Sequence, residues 1–292
     1  MTPATSARTA ATSSPATSSP ATSSPATSSP ATSSPAASSE VASPSDVSFP
    51  AGPASGLTTA PLRARWLGTV DYREAWDLQR RLYAGSSDHL LLLEHPPVYT
   101  IGRSGDRANL LAEAVDLGAE LIAVDRGGDI TFHGPGQIVG YPILSVPGKR
   151  GGGMADTVAY VGAVEQSIID VLSELGLDGA RLSGFPGVWL GAETSRPRKI
   201  AAIGVRLSRG RSMHGFALNV DVDLDWFSHI VPCGIADKGV TSLLDEGVDA
   251  SKETVAGLLV DAVARHLAAG RSIDRRDVVW RHRTTDLAPF SR

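Results

Sequence analysis

The sequence predicts an α+β domain of the α/β class: a mixed, largely antiparallel β-sheet flanked by helices. Three observations predict it. Apolar runs of strand length recur at 62–70, 89–94, 120–125, 137–146, 187–191, 199–207 and 214–222. Two longer stretches, 156–175 and 251–268, carry helical periodicity. The strands cluster without regular βαβ alternation, which disfavours a doubly wound parallel sheet.

Taken in order, 62–70 (LRARWLGTV) alternates and reads as a strand, and 71–84 reads as a helix opened by Asp71 as N-cap. HLLLLE at 89–94 is a strand buried on both faces, halted by Pro96–Pro97, with 98–101 (VYTI) resuming it. Residues 120–125 form a strand that ends at the glycines 127–128. In 137–146, Pro142 points to an edge strand or a bulge, because proline has no amide to give to a ladder. Asp156 caps the next helix. Val158, Val161, Ile168, Val171, Leu172 and Leu175 fall on one face, and Gly176 stops it. A terminal strand or short helix holds Val278–Trp280.

Ahead of this domain lies a different kind of chain. Residues 11–35 are five copies of ATSSP, and residues 1–56 carry three charged side chains, one aromatic and nine of the nineteen prolines. Such a stretch buries too little to offset an ordering cost of roughly 1–2 kcal/mol per residue. We read 1–60 as a disordered tail and 61–292 as a single catalytic domain. No apolar segment follows Arg8, so the tail is not a secretory signal.

Composition narrows the function. The net charge is −4 and charged residues make up 20% of the chain, without the clustered basic surface that nucleic acid demands. No run of about 18 apolar residues is present, so no membrane-spanning helix is expected. One cysteine excludes an internal disulfide and a four-cysteine zinc site. A soluble protein of the cytoplasm is the expectation. There is no G-x-S-x-G, H-E-x-x-H or phosphate-loop string, and Gly134-x-Gly136 precedes a strand rather than a helix.

Four segments carry possible chemistry. RGGDITFHGPGQ (126–137) sets four glycines around Arg126 and His133; its backbone can turn sharply and approach a ligand. An ordinary glycine-rich hairpin with a surface histidine fits the same residues. Cys233 lies between Pro232 and Gly234 in what reads as a tight turn, where a thiol is exposed; a lone cysteine is otherwise a small buried hydrophobe. Lys199 is one of four lysines and heads an apolar strand. It is either a solvated strand-end lysine or a cation that favours a thiolate. HGFALN (214–219) repeats the His–Gly pair of 133–134 at another strand end, with no third metal ligand at useful spacing. His95, before the double proline, has no independent argument for a role.

Together these segments resemble the octanoyltransferase family of lipoate biosynthesis. EHPPVYTIGR, RGGDITFHGPGQIVGYPIL, KIAAIGVRL, HGFALNV and VPCGI occur in that family's order, over about 62–250. The resemblance implies the fold of biotin- and lipoate-ligase catalytic domains. It implies transfer of an octanoyl group from octanoyl-acyl carrier protein to a lysine of lipoyl domains, those of 2-oxoacid dehydrogenase E2 subunits and the glycine-cleavage H protein. No cofactor, nucleic acid or membrane is implied. By position, Cys233 matches the acyl-thioester nucleophile and Lys199 the lysine that lowers its pKa. The pocket for acyl chain and carrier arm matches Arg126, Gly127, Gly128, Asp129, Ile130, Thr131, Phe132 and His133. It also matches Ala202, Ile203 and Gly204, and Gly215, Phe216 and Ala217. Phe132 stands where the family often has tyrosine, keeping an aromatic wall and losing a hydroxyl. Arg103, Arg107 and Arg126 are expected to edge the pocket mouth, facing acidic carriers. Three alternatives stay open: an ATP-dependent lipoate- or biotin-protein ligase of the same fold, a non-enzymatic binder of lipoyl domains or acyl carriers, and a cysteine hydrolase using His133 or His214.

Overall fold

HLLLLE lacks alternation because both faces of its strand are covered. Leu90 and Leu92 pack toward two helices, Leu91 and Leu93 toward a third, and all four are at most 1% exposed. Each such burial is worth about 2 kcal/mol. The computed structural model describes residues 60–146, 148, 155–231 and 238–277. The repeat tail, Cys233 and Val278–Trp280 lie outside the described residues.

The elements are β1 (Leu62–Thr69), α1 (Tyr72–Ala84), β2 (His89–Glu94), β3 (Val98–Ile101), β4 (Glu120–Ala123), β5 (Ile130–His133), β6 (Gln137–Ile143), α2 (Thr157–Glu174), β7 (Gly179–Leu182), β8 (Phe185–Leu190), β9 (Arg198–Ser208), β10 (Arg211–Asn219), β11 (Gly239–Val240), α3 (Lys252–Leu267) and β12 (Ile273–Asp277). The main sheet runs β12-β1-β2-β6-β10-β9-β8-β7, with β11 beside β9. β12, β1 and β2 are parallel, as are β11 and β9, and the other pairs are antiparallel. A second sheet has the order β4-β3-β5. The mixed, largely antiparallel sheet with flanking helices is the expected class.

Capping sets the helices. Asp71 accepts from the amides of Arg73 (2.8 Å) and Glu74 (3.3 Å). Asp156 accepts from Ala159 N (3.1 Å) and Ser251 Oγ from Thr254 N (3.2 Å). α1 covers one face of the main sheet; α2 and α3 cover the other.

Four expectations need correction. Residues 98–101 do not resume β2: past Pro96–Pro97 the chain enters the second sheet. The glycine-rich segment, placed between two strands, itself contains a third, β5. Val158 is 83% exposed and Val161 only half-buried; the buried face of α2 is Tyr160, Val164, Ile168, Val171 and Leu172. At 3.6 residues per turn Val158 lies about 100° around the helix from the middle of that face. Finally, Pro142 sits inside the sheet, on β6 between β2 and β10. The β6–β10 ladder pairs Gly140 with Phe216 and then lapses until Ser145 meets Arg211. Across the gap Ser212 Oγ donates to Pro142 O (2.7 Å) and accepts from Leu144 N (2.9 Å). His214 takes a left-handed φ of 57°, and its amide donates to Gln79 Oε1 on α1 (2.9 Å). Side chains from β10 and α1 thus satisfy the Pro142 carbonyl and the Leu144 and His214 amides where the ladder is interrupted.

Ser212→Ala removes that bridge and strands a buried amide. We expect a loss of about 1–3 kcal/mol, read from urea denaturation at unchanged m-value; wild-type stability would contradict this account of Pro142.

Candidate functional site

Strand alternation sorts the glycine-rich segment. On β5, Ile130 and Phe132 point into the second sheet's own core with Tyr99, Phe227 and Ile230. Phe132 stacks on Trp226, ring centroids 4.8 Å apart. Neither is among the residues that line the cleft bordered by their strand neighbours. Thr131 and His133 take the opposite face and border a cleft of about 460 Å³, part of it open to solvent.

The cleft lies between the two sheets. Its floor is a row of small side chains across three strands: Ala202 on β9 faces Ala217 on β10, which faces Val139 on β6. The next row pairs Gly204 with Gly215. Ile203 and Phe216 border the cleft but alternate to the far side, where Phe216 joins the core under α2 and α3. The wall is polar: Tyr72 from α1, Arg126, Gly128, Asp129, Thr131 and His133 from the glycine-rich segment, Tyr141 and His214. Gly127 is not a lining residue; its amide donates to Val205 O (2.9 Å), docking the loop on β9.

Arg126 is the buried charge of this wall, 7% exposed. Its Nη2 donates to Thr100 O and Thr100 Oγ1, both at 2.8 Å, and its Nη1 to Gly127 O at 3.0 Å. It passes between two glycines: a Cβ on Gly204 would sit 2.9 Å from Arg126 Cδ, and one on Gly102 2.9 Å from Nη1. Arg126 therefore does not edge the mouth, whereas Arg103 and Arg107 are exposed. Asp129 Oδ1 accepts from the amides of Asp106 (3.0 Å) and Ile130 (2.7 Å), and its Oδ2 from Asn109 Nδ2 (2.5 Å). It fixes the loop that follows β3.

Three histidines surround the cleft, and burial keeps each of them neutral. Burial holds His133 well below the ordinary imidazole range, with His95 and Arg126 adding to the effect. His95 is lowered to about 4, mainly by burial. Its Nδ1 donates to Val70 O (2.7 Å), and its Nε2 accepts from the Tyr141 hydroxyl (2.8 Å). Tyr141 is hydrogen-bonded in turn to Tyr72, and burial raises Tyr72 to about 12. His214 is lowered by burial although Asp125 opposes the shift. Asp125 Oδ1 accepts from His214 Nε2 (2.7 Å) and Oδ2 pairs with Arg206. The His214 contact, first, and Arg206 bring Asp125 down to about 2.

Lys199 is 7% exposed, and its Nζ lies 4.7 Å from the centroid of the Trp189 ring. It is not a lining residue of the cleft but shares β9 with Ala202, and Thr241 N donates to its carbonyl (3.0 Å). β11, which pairs with Lys199, begins two residues after 232–237, the segment that holds Cys233. On the other side of that segment, Val231 N donates to Asn109 O (2.7 Å). Among the described residues no cluster of three His, Cys, Asp or Glu is arranged to hold a metal ion.

Tyr72, Thr100, Asp125, Gln137 and Tyr141 stand in or behind the wall without having been singled out, and His214 was weighed only as the base of a hydrolase. Thr100, Gln137, Tyr141 and His214 lie inside the quoted motifs and Asp125 directly precedes one, so membership of a motif or adjacency to it was the available signal; Tyr72 had none. Asp125 titrates below its ordinary value. Its pairing therefore stabilises the fold above the ordinary carboxylate range, and that contribution is lost as pH falls toward about 2. The stability gap between wild type and Asp125→Asn in urea should be constant above about pH 5 and narrow below about pH 4. A gap unchanged down to pH 2 would contradict the Asp125–His214 contact.

The chain matches the lipoyl protein ligase A/B catalytic domain over residues 71–264. It is 48% identical over 228 residues to an octanoyltransferase of Mycobacterium sp. (strain KMS), covering 74% of this chain and 92% of that one. It is 46% identical over 236 residues to an octanoyltransferase of Thermobifida fusca, covering 76% and 95%. Solved structures share the fold: a bi-partite lipoate protein ligase from Thermoplasma acidophilum (TM-score 0.59, 18% identity, 79% of this chain and 91% of that one) and lipoate-protein ligase A bound with ATP (TM-score 0.60, 18% identity, 75% and 90%). With this cleft and these relatives, the chain belongs to the lipoyl protein ligase A/B catalytic-domain family, as one of its octanoyltransferases.

Proposed function

We propose that this protein transfers an octanoyl group from octanoyl-acyl carrier protein to a lysine of lipoyl domains, through a thioester on Cys233. The observation that carries the reading is the cleft, with its apolar floor of Ala202, Ala217 and Val139 and its hydrogen-bonding wall. An eight-carbon chain gains about 0.8 kcal/mol per buried CH₂ on such a floor. The polar wall suits the thioester and the incoming amine. The 48% identity to curated octanoyltransferases supports the same assignment.

In this reading the Cys233 thiolate attacks the thioester carbonyl, the carrier's pantetheine sulfur leaves, and an octanoyl–Cys233 thioester forms. The lipoyl-domain lysine attacks that thioester, its nitrogen gives up a proton, and the Cys233 sulfur leaves as an amide forms. Lys199 supplies the cation that favours the thiolate. Its buried place on β9, beside the strand that follows the Cys233 segment, supports this role. The donor is already an activated thioester, so the chemistry calls for no nucleotide. The acceptors are the lipoyl domains of 2-oxoacid dehydrogenase E2 subunits and the glycine-cleavage H protein. Residues 61–292 form the catalytic domain. No helix among the described residues is long and apolar enough to cross a membrane; the reading puts the enzyme in the cytoplasm with its carriers.

Incubation with octanoyl-acyl carrier protein should add one octanoyl group to the intact mass of wild type and none to Cys233→Ala. An adduct that persists in Cys233→Ala, or transfer that requires ATP, would sink the mechanism. Lys199→Ala should move the midpoint of thiol alkylation against pH upward and slow both half-reactions. An unchanged alkylation profile would remove Lys199 from its role.

A further inference from the structure

Behind the wall, a chain of buried amides leads from His133 to Thr241, next to β11. Gln137 and Asn219 are 1% and 4% exposed and face each other as a cross-strand pair of β6 and β10. Gln137 Nε2 donates to Asn219 Oδ1 (2.9 Å) and Phe132 O (3.3 Å). Asn219 Nδ2 donates to Thr241 O (2.8 Å), and Thr241 is the residue whose amide meets Lys199 O. The two carbonyls at the ends of this chain only accept, so both amide nitrogens must face them. Gln137 Oε1 is thereby turned to His133 Nδ1, 2.7 Å away, and that nitrogen must carry the proton. On the other edge of the ring, Nε2 lies 3.4 Å from Thr100 Oγ1. This hydroxyl already accepts from Arg126, which leaves its own proton for Nε2. The Gln137 carbonyl thus selects one tautomer, and the long Thr100 contact is compatible with it.

We propose that Gln137 and Asn219 are positioning residues for octanoyl transfer. They hold His133 as its Nδ1–H tautomer, so that Nε2, met at rest only by the long Thr100 hydroxyl contact, accepts from the incoming amine once that hydroxyl turns away. The role rests on the functional reading above. The ring's charged and titratable neighbours are consistent with it: Tyr72 from α1, His95 after β2, Arg126 from the loop and His214 from β10, none of them an anion that would protonate the imidazole. Coupling to Thr241 ties the same ring to the strand beside Lys199.

Two variants of Gln137 separate positioning from bulk stability. Gln137→Met keeps the volume but offers Nδ1–H no acceptor; kcat should fall about tenfold or more at every pH while KM for octanoyl-acyl carrier protein holds. Gln137→Glu keeps the acceptor for Nδ1–H, gives up the bonds to Phe132 O and Asn219 Oδ1, and adds a charge that raises the His133 pKa. It should keep more of kcat than Gln137→Met near pH 9 and lose it as pH falls through that raised value, a limb additional to the one that the Cys233 thiol gives wild type. Nitrogen-15 NMR of histidine-labelled protein reads the tautomer without turnover: wild type should show protonated Nδ1 and bare Nε2 at His133, and Gln137→Met should lose that signature. A wild-type Nε2–H tautomer, wild-type kcat in Gln137→Met, or no new limb in Gln137→Glu would overturn the positioning role. A wild type that shows the tautomer but transfers no octanoyl group overturns the functional reading, and this role with it.

Discussion

The buried guanidinium of Arg126 is the constraint on which the cleft depends. Removing such a cation from water costs several kcal/mol unless its donors are met. Here Thr100 and Gly127 accept three hydrogen bonds from its two terminal nitrogens, and no side chain on Gly102 or Gly204 stands in the way. Because Thr100 lies on β3 and Gly204 on β9, satisfying this one charge draws the second sheet against the main one. The gap that remains between the sheets is the cleft. The glycines of the segment follow from the same requirement, since Gly127 docks its amide on β9 where a larger residue would crowd Val205 O.

Placing a cation there sets the electrostatics of its surroundings. Arg126 and desolvation act together on the neighbouring imidazoles, so His133 and His214 are held below the ordinary imidazole range. A wall of neutral imidazoles and phenols then faces an apolar floor. That pairing suits an acyl transfer in which the chain is held by burial and the reacting atoms by hydrogen bonds.

Much of the fold was readable in the sequence because its signals are local. Asp71, Asp156 and Ser251 cap helices by reaching two or three residues ahead, and Gly176 ends α2 with φ of 82°. What escaped was set by distant contacts. Pro142 reads as an edge residue until Ser212, 70 positions away, fills the gap in its ladder. Phe132 reads as a pocket wall until strand pairing to β3 turns it toward Trp226. Nothing near His214 announces that Asp125, 89 residues earlier, holds its ring. The site motifs showed through because glycines, Arg126 and His133 stand adjacent in the chain. Their supports, Thr100, Gln137 and Tyr141, are ordinary strand residues whose role appears only when the sheets meet.

The central claim is that the space between the sheets receives the acyl chain. A crystal structure of the protein after reaction with an octanoyl thioester tests it most directly. The account predicts aliphatic density running over Ala202, Ala217 and Val139, with its carbonyl end toward the segment that carries Cys233. Density for the chain anywhere else, with this floor left bare, would contradict it.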